Sequence, residues 1–330
     1  MNNRPDESMS VETLVTRADA IIAEVEKAVV GKTAVLKQLL AVLLSRGGHI
    51  LIEDYPGLAK TLIANSFATA LGLKFKRIQF TPDLLPGDIT GGYIYDNSRN
   101  TFVLREGPIF TNILLADEIN RASPKTQSAL LEAMQEYHVS LEGNTLGLPD
   151  PFRVVATQNP IEYEGTFPLP EAQLDRFTVK LHVGYPSIDE EIEIVERRRT
   201  RKDDAIALDS VVTPAEFGAM RRLVEDIFVH RDIQRYMVEL VAGTRQHRQV
   251  AVGASPRASL SLMKLARAWA AMHGRTYVVP DDVKTFAGEA LSHRLILEPS
   301  LWGSKATEQA VIQEILDSLE VPVVPAGNEQ

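Results

Sequence analysis

The chain has 330 residues, 45% of them hydrophobic and 24% charged, and 35 Lys and Arg against 44 Asp and Glu give a formal charge of −9. The absence of cysteine excludes disulfides, thiolate metal sites and cysteine nucleophiles, and the apolar content excludes low-complexity disorder. No run approaches the roughly 18 apolar residues of a membrane span, residues 1–10 lack a secretory signal core, and the acidic balance disfavours a dedicated nucleic-acid binder. A cytoplasmic protein of two domains without membrane insertion is therefore expected.

Residues 1–10 read as a flexible tail. From Val11 to about Leu44 the apolar residues Leu14, Ala18, Ile21, Ile22 and Val25 recur at helical spacing, which predicts two helices joined at Val29–Lys32. His49–Ile52 is too short and apolar for a helix and reads as a buried parallel strand. A turn over Asp54–Lys60 leads into a helix over Thr61–Leu71, the start of an α/β unit. Further buried strands are predicted at Lys76–Phe80, Ile113–Ala116, Val154–Thr157 and Phe177–Val183. Ser123 and Pro124 cap a helix that ends near Tyr137. Hairpins are predicted at Gly91–Val103, around Asn97–Asn100, and at His138–Pro151, turning at Gly143-Asn144. The alternation predicts an α/β domain with a mostly parallel sheet covered on both faces.

Ser187 caps a helix with acids in its first turn and Arg197–Arg199 in its last, an order that complements the helix dipole. Those arginines read as a solvated helix end. Residues 200–212 read as a linker, and 213–320 as a small domain of helices only, with starts at Thr213-Pro214, Ile233, Ser255-Pro256 and Pro280–Asp282. A second tail follows at 321–330.

The segment Asp54–Thr61 lies between a strand and a helix, where successive backbone N–H groups and the helix N-terminus can surround a phosphate. Lys60 would reach the β- and γ-oxygens of a nucleotide and the Thr61 hydroxyl would bind Mg²⁺. Against the pattern G-x-x-x-x-G-K-[ST], Asp54 and Ala59 stand where the two glycines belong. Ile113–Ala116 ends in Asp117 and Glu118; a carboxylate at the end of a neighbouring parallel strand lies near such a loop. Asp117 would hold the metal and Glu118 would orient the attacking water.

Pro56–Thr61 (PGLAKT) resembles the phosphate loop of MoxR-type AAA+ ATPases, in which Ala replaces the second Gly. Leu115–Ala122 (LADEINRA) is similar to their Walker B region and Ala156–Pro160 (ATQNP) to their sensor 1 strand. Glu171–Phe177 (EAQLDRF) looks like their arginine-finger segment, and Gly253–Ala258 (GASPRA) like their sensor 2. The likeness spans about Val25 to Leu297, five motifs in order. It implies an AAA+ P-loop NTPase core over residues 11–199 with two hairpin insertions, followed by an all-α lid. It further implies ATP and Mg²⁺ as ligands, a homo-oligomeric, hexameric ring, and a client protein with, in many relatives, a von Willebrand factor A domain.

Residue by residue, the resemblance places Val30 and Gly31 beside the adenine, and Pro56, Gly57, Leu58, Ala59, Lys60, Thr61 and Leu62 around the phosphates. Asn159 would bind the attacking water or γ-phosphate, Arg176 would reach the γ-phosphate of a neighbouring subunit, and Arg257 would swing onto the γ-phosphate as the lid closes. Arg176 reads alternatively as an internal ion pair with Asp175 or Glu171. Arg121 and Arg245 match the family pattern without a derivable role. Asp54 departs from it, either placing a negative charge near the phosphates or capping the loop by accepting an N–H. Two alternatives stand beside the ATP-driven remodelling reading: a nucleotide-responsive scaffold with little turnover, and a magnesium-chelatase-like motor subunit. A DNA-translocating relative is disfavoured by hairpins whose only basic residues are Arg99 and Arg105.

Overall fold

The computed structural model describes residues 9–160, 165–301 and 307–323; most of both expected tails, residues 1–8 and 324–330, lies outside them. Two helices open the chain, α1 (Val11–Glu26) and α2 (Thr33–Leu44), followed by β1 (Ile50–Glu53), α3 (Lys60–Ala70) and β2 (Phe75–Gln79). A short α4 (Pro86–Thr90) leads to the hairpin β3 (Gly91–Asp96) and β4 (Thr101–Glu106). Then come β5 (Ile113–Asp117), α5 (Pro124–Glu136), the hairpin β6 (His138–Leu141) and β7 (Asn144–Gly147), and β8 (Arg153–Gln158). The core closes with α6 (Glu171–Leu174), β9 (Val179–Leu181) and α7 (Ile188–Arg201).

Five strands pair in parallel in the order β2-β5-β8-β1-β9. The strand that ends in Asp117 is therefore not the neighbour of the one that leads into the phosphate loop, as the sequence suggested: β8 lies between them. Alternating side chains fill two layers. Ile50, Ile52, Ile113, Leu115 and Val155 face α1, α2 and α3. Leu51, Leu114, Ala116, Val154 and Ala156 face the opposite layer with Leu130 and Met134 of α5. Such strands, buried on both faces, read as continuous apolar runs.

The second half holds α8 (Pro214–Glu225), α9 (Arg231–Gln246), β10 (Val250–Val252), α10 (Pro256–Met272), α11 (Pro280–Leu291), β11 (Ile296–Leu297) and α12 (Glu308–Ser318). It is not helical throughout: β10 and β11 form an antiparallel ribbon, too short to show period-2 patterning in the sequence. The polar stretch read as a linker begins inside α7, and the rest runs along the core. There the Val211 N–H donates to the Ala70 carbonyl (2.9 Å) and the Asp209 N–H to the Glu24 carboxylate (2.8 Å). The lid shares the core of the first domain. α10 packs on α1 and α2, and Leu262, Leu265 and Phe286 belong to the same buried cluster as Leu14, Leu36 and Leu40. No helix among the described residues is long and apolar enough to cross a membrane.

His49, at the entrance to β1, is 2% exposed. Its Nδ1 accepts the Val154 N–H at 3.1 Å and its Nε2 lies 3.0 Å from the Met134 carbonyl, an arrangement that requires the neutral ring. Burial, with Arg153 adding repulsion, pushes the imidazole down to about 3. An unfolded chain binds this proton near pH 6.5, so the folded state loses stability as pH falls from about 6.5 toward 3. Urea titrations across that range are expected to show a decline approaching ~1.4 kcal/mol per pH unit from this histidine, reduced in His49→Gln.

Candidate active site

α3 begins where the chain must turn sharply after β1. Gly57 (φ +83°) and Ala59 (φ +54°) both adopt the left-handed region, which explains why glycine is the usual choice at the second position. Nothing lies within 4 Å of where a Gly57 Cβ would stand, and the α3 N-terminus opens into a cavity of about 440 Å³. Pro56, Leu58, Lys60, Thr61 and Leu62 line it from the loop side. Lys60 Nζ donates to the carbonyls of Asp54 (2.6 Å) and Tyr55 (3.2 Å), so its ammonium closes the loop on itself.

Across the cavity stand Asp117 and Glu118 from the end of β5, and Asn159 just beyond β8. Register brings them together: Gln79 pairs with Asp117 and Ala116 with Ala156, which sets Thr157 beside Asp117. The Thr157 hydroxyl donates to Asp117 Oδ1 and accepts the Glu118 N–H at 2.8 Å. Glu118 is itself left-handed (φ +56°), a conformation that costs a non-glycine residue about 1 kcal/mol or more and that the Thr157 contact helps to hold. Asp117 is only 9% exposed and Asn159 5%.

Two cavity residues escaped the sequence reading. Arg77 and Gln79, on one face of β2, line the same space. Arg77 donates to Asp117 Oδ2 through Nη2 (2.7 Å) and Nε (3.1 Å), and to Gln79 Oε1 through Nη2 (2.8 Å). Gln79 Nε2 donates to Glu118 Oε2 at 2.6 Å, and Arg121 Nη1 reaches the same oxygen at 2.9 Å. Arg121, without a derivable role in the sequence, is thus a partner of Glu118. Arg245 instead braces the loop before α10, donating to the Ala254 carbonyl at 2.8 Å. Only the alternation of β2 could have revealed Arg77 and Gln79.

The cavity fits a magnesium nucleotide. A helix N-terminus and a lysine face one space, and the oxygen donors lining it include the Thr61 hydroxyl and the carboxylates of Asp117 and Glu118. Magnesium is commonly held by one or two carboxylates with phosphate oxygens and water completing the octahedron. Val30 and Gly31 lie apart from this lining. The space above Gly31 is filled by Glu190 of α7, whose carboxylate would stand 2.0 Å from any Cβ added there.

Arg176 and Arg257 are brought together, but not here. They line a second cavity of about 240 Å³, with Lys264, Arg294 and Asp175, that shares no lining residue with the first. Asp175 is occupied by Arg294 Nε (2.7 Å) and Ser255 Oγ (3.0 Å). Among the described residues Arg176 has no side-chain ion pair, so the internal pairing allowed by the sequence is not formed. Burial pushes the Lys264 ammonium below its usual range, which Glu225 opposes and the charges of Arg153 and Arg46 reinforce. The expected swing of Arg257 onto the phosphates of its own chain is not supported by this geometry. The lid is pinned beside Asp175, and His293 and Arg294 contact the Phe177 carbonyl at 3.1 and 2.7 Å.

Asp54 faces away from the phosphate cavity. Its carboxylate is buried and accepts the N–H groups of Val183 and Gly184, tying the start of the phosphate loop to the turn after β9. Its role is therefore a cap, reached across the sheet rather than locally.

The family model for the ATPase family associated with various cellular activities (AAA) matches residues 49–179, and that for the AAA lid domain matches residues 242–315. YeaC of Bacillus subtilis is 47% identical over 92% of this chain and 94% of its own. Chaperone MoxR1 of Mycobacterium tuberculosis is 44% identical over 94% and 83%. A crystal structure of a protein from Cytophaga hutchinsonii superposes with a TM-score of 0.89 at 38% identity, covering 95% of this chain and 97% of the other.

Asp54→Ala leaves two N–H groups without their acceptor and is expected to cost about 1–3 kcal/mol in denaturant unfolding. Because the carboxylate does not face the cavity, nucleotide affinity should change far less than an electrostatic role beside the phosphates would require.

Proposed function

The chain belongs to the MoxR family of AAA+ ATPases, and on that footing we propose that it binds ATP with Mg²⁺ at the Lys60 cavity and hydrolyses it to drive chaperone-like remodelling or activation of client proteins. The observation that carries the reading is convergence: Lys60 and Thr61, Asp117 and Glu118, and Asn159 come from three separate segments to one cavity. Backbone N–H groups of Gly57–Lys60 and the Lys60 ammonium bind the β- and γ-phosphates. Thr61 and Asp117 hold the metal, which when bound neutralises charge on the phosphate oxygens. Glu118 orients the attacking water once its contacts to Gln79 and Arg121 loosen, and Asn159 fixes that water or the γ-phosphate.

Arg176 and Arg257 complete the site from a second copy of the chain. Their shared cavity carries four cations, Arg176, Arg257, Lys264 and Arg294, against the single carboxylate of Asp175 among its acids. Such a surface suits a triphosphate presented by a neighbour, where positive charge stabilises the transition state. Repetition of that contact builds a ring, by family expectation a hexamer. The chaperone name of the mycobacterial relative supports a protein client, and the family pattern suggests one with a von Willebrand factor A domain. The β3–β4 hairpin exposes Ile94, Tyr95 and Phe102, apolar side chains suited to gripping a polypeptide.

Lys60→Ala is expected to abolish nucleotide binding in an equilibrium titration. Glu118→Gln should bind normally yet release phosphate about 10²–10⁴-fold more slowly. Chains carrying only Arg176→Ala, mixed with chains carrying only Glu118→Gln, should regain part of the lost turnover. Absence of recovery at every mixing ratio would place the whole site on one chain.

A further inference from the structure

The carboxylate assigned to the metal already has a cation on it. Asp117 is almost fully buried, and both its oxygens are used: Oδ1 takes the Thr157 hydroxyl and Oδ2 takes two N–H groups of Arg77. The burial of the two partners is unequal. The Arg77 side chain is 48% exposed and lines the open cavity, whereas that of Asp117 is 12% exposed and held by its strand and Thr157. Of the two, only the guanidinium is free to leave.

A buried carboxylate without a compensating charge is costly. Before any nucleotide arrives, a guanidinium on Oδ2 removes that cost. A divalent cation seated between Thr61 and Asp117 would draw on the same carboxylate and meet the guanidinium's positive charge at close range, where like charges repel. We infer that Arg77 is a place-holder for the divalent cation: it neutralises Asp117 in the nucleotide-free chain and is displaced from it when the metal binds. This rests on the nucleotide site proposed above. Release also frees the Arg77 Nη2 bond to Gln79, the side chain that holds Glu118. Metal arrival is thereby wired, through two hydrogen bonds, to the residue that orients water.

The test measures metal binding rather than turnover. ADP affinity is measured by isothermal titration calorimetry on the full chain over a series of free Mg²⁺ concentrations, and the Mg²⁺ giving half of the affinity gain is read off. Arg77→Gln removes the competitor, so half-saturation should fall roughly fivefold, the size expected for one half-exposed ion pair. Arg77→Lys, which keeps the charge but not the paired donors, should fall in between and serves if the glutamine variant does not fold. In EDTA without nucleotide, Arg77→Gln should melt at a lower temperature than the unaltered chain and recover more on adding Mg²⁺. Half-saturation unchanged or raised in both variants overturns the place-holder role, since a residue that merely positions Asp117 would weaken metal binding when removed. An unaltered chain that binds ADP with no dependence on Mg²⁺ overturns the metal site itself.

Discussion

Parallel strands that finish level with one another are the constraint on which this site depends. In the observed register Glu53 stands beside Gln158, Thr157 beside Asp117, and Asp117 beside Gln79. Thr157, Asp117 and Gln79 are thus delivered at one height, with Arg77 two residues earlier on the same face of β2. A slip of one residue in β8 would turn Thr157 to the other face and leave Asp117 Oδ1 and the Glu118 N–H without their shared partner. The buried aliphatic layers on both faces, Ile50, Ile52, Leu115 and Val155 on one and Leu51, Leu114 and Ala156 on the other, make that slip costly. Chemistry at the strand ends is specified by packing beneath it.

The same economy joins lid and core. A lid resting on a polar interface could hinge; this one contributes α10 and α11 to the cluster that also contains α1 and α2. The Arg294–Asp175 pair and the Phe177 carbonyl contacts fasten it again beside Arg176. The segments that carry Arg176 and Arg257 are thereby joined beside one cavity, although one belongs to the core and the other to the lid.

Motifs made of consecutive residues were legible in the sequence, and so were the elements that carry them. The Asp54–Thr61 loop, the acids closing β5 and the capped helix bearing Arg257 each announce themselves locally. What stayed hidden depends on pairings between distant segments. Arg77 and Gln79 sit in an ordinary strand run, and only β2 lying beside β5 makes them partners of Asp117 and Glu118. The insertion of β8 between β1 and β5, the placement of Arg257 beside Arg176, and the burial of Asp54 against Val183 and Gly184 likewise follow from topology. The β10–β11 ribbon pairs segments more than forty residues apart, beyond any local pattern.

The alanine at position 59 has a consequence for the loop as a receptor. A glycine adopts left-handed backbone freely; alanine does so at a cost of about 1–2 kcal/mol. It therefore keeps this shape because its neighbours insist on it. The Ala59 carbonyl accepts the Ile63 N–H at 2.9 Å, Lys60 clasps the Asp54 and Tyr55 carbonyls, and Asp54 is anchored across the sheet. A loop that is ordered only on binding loses conformational freedom at every encounter. Here much of that ordering is done once, when the chain folds.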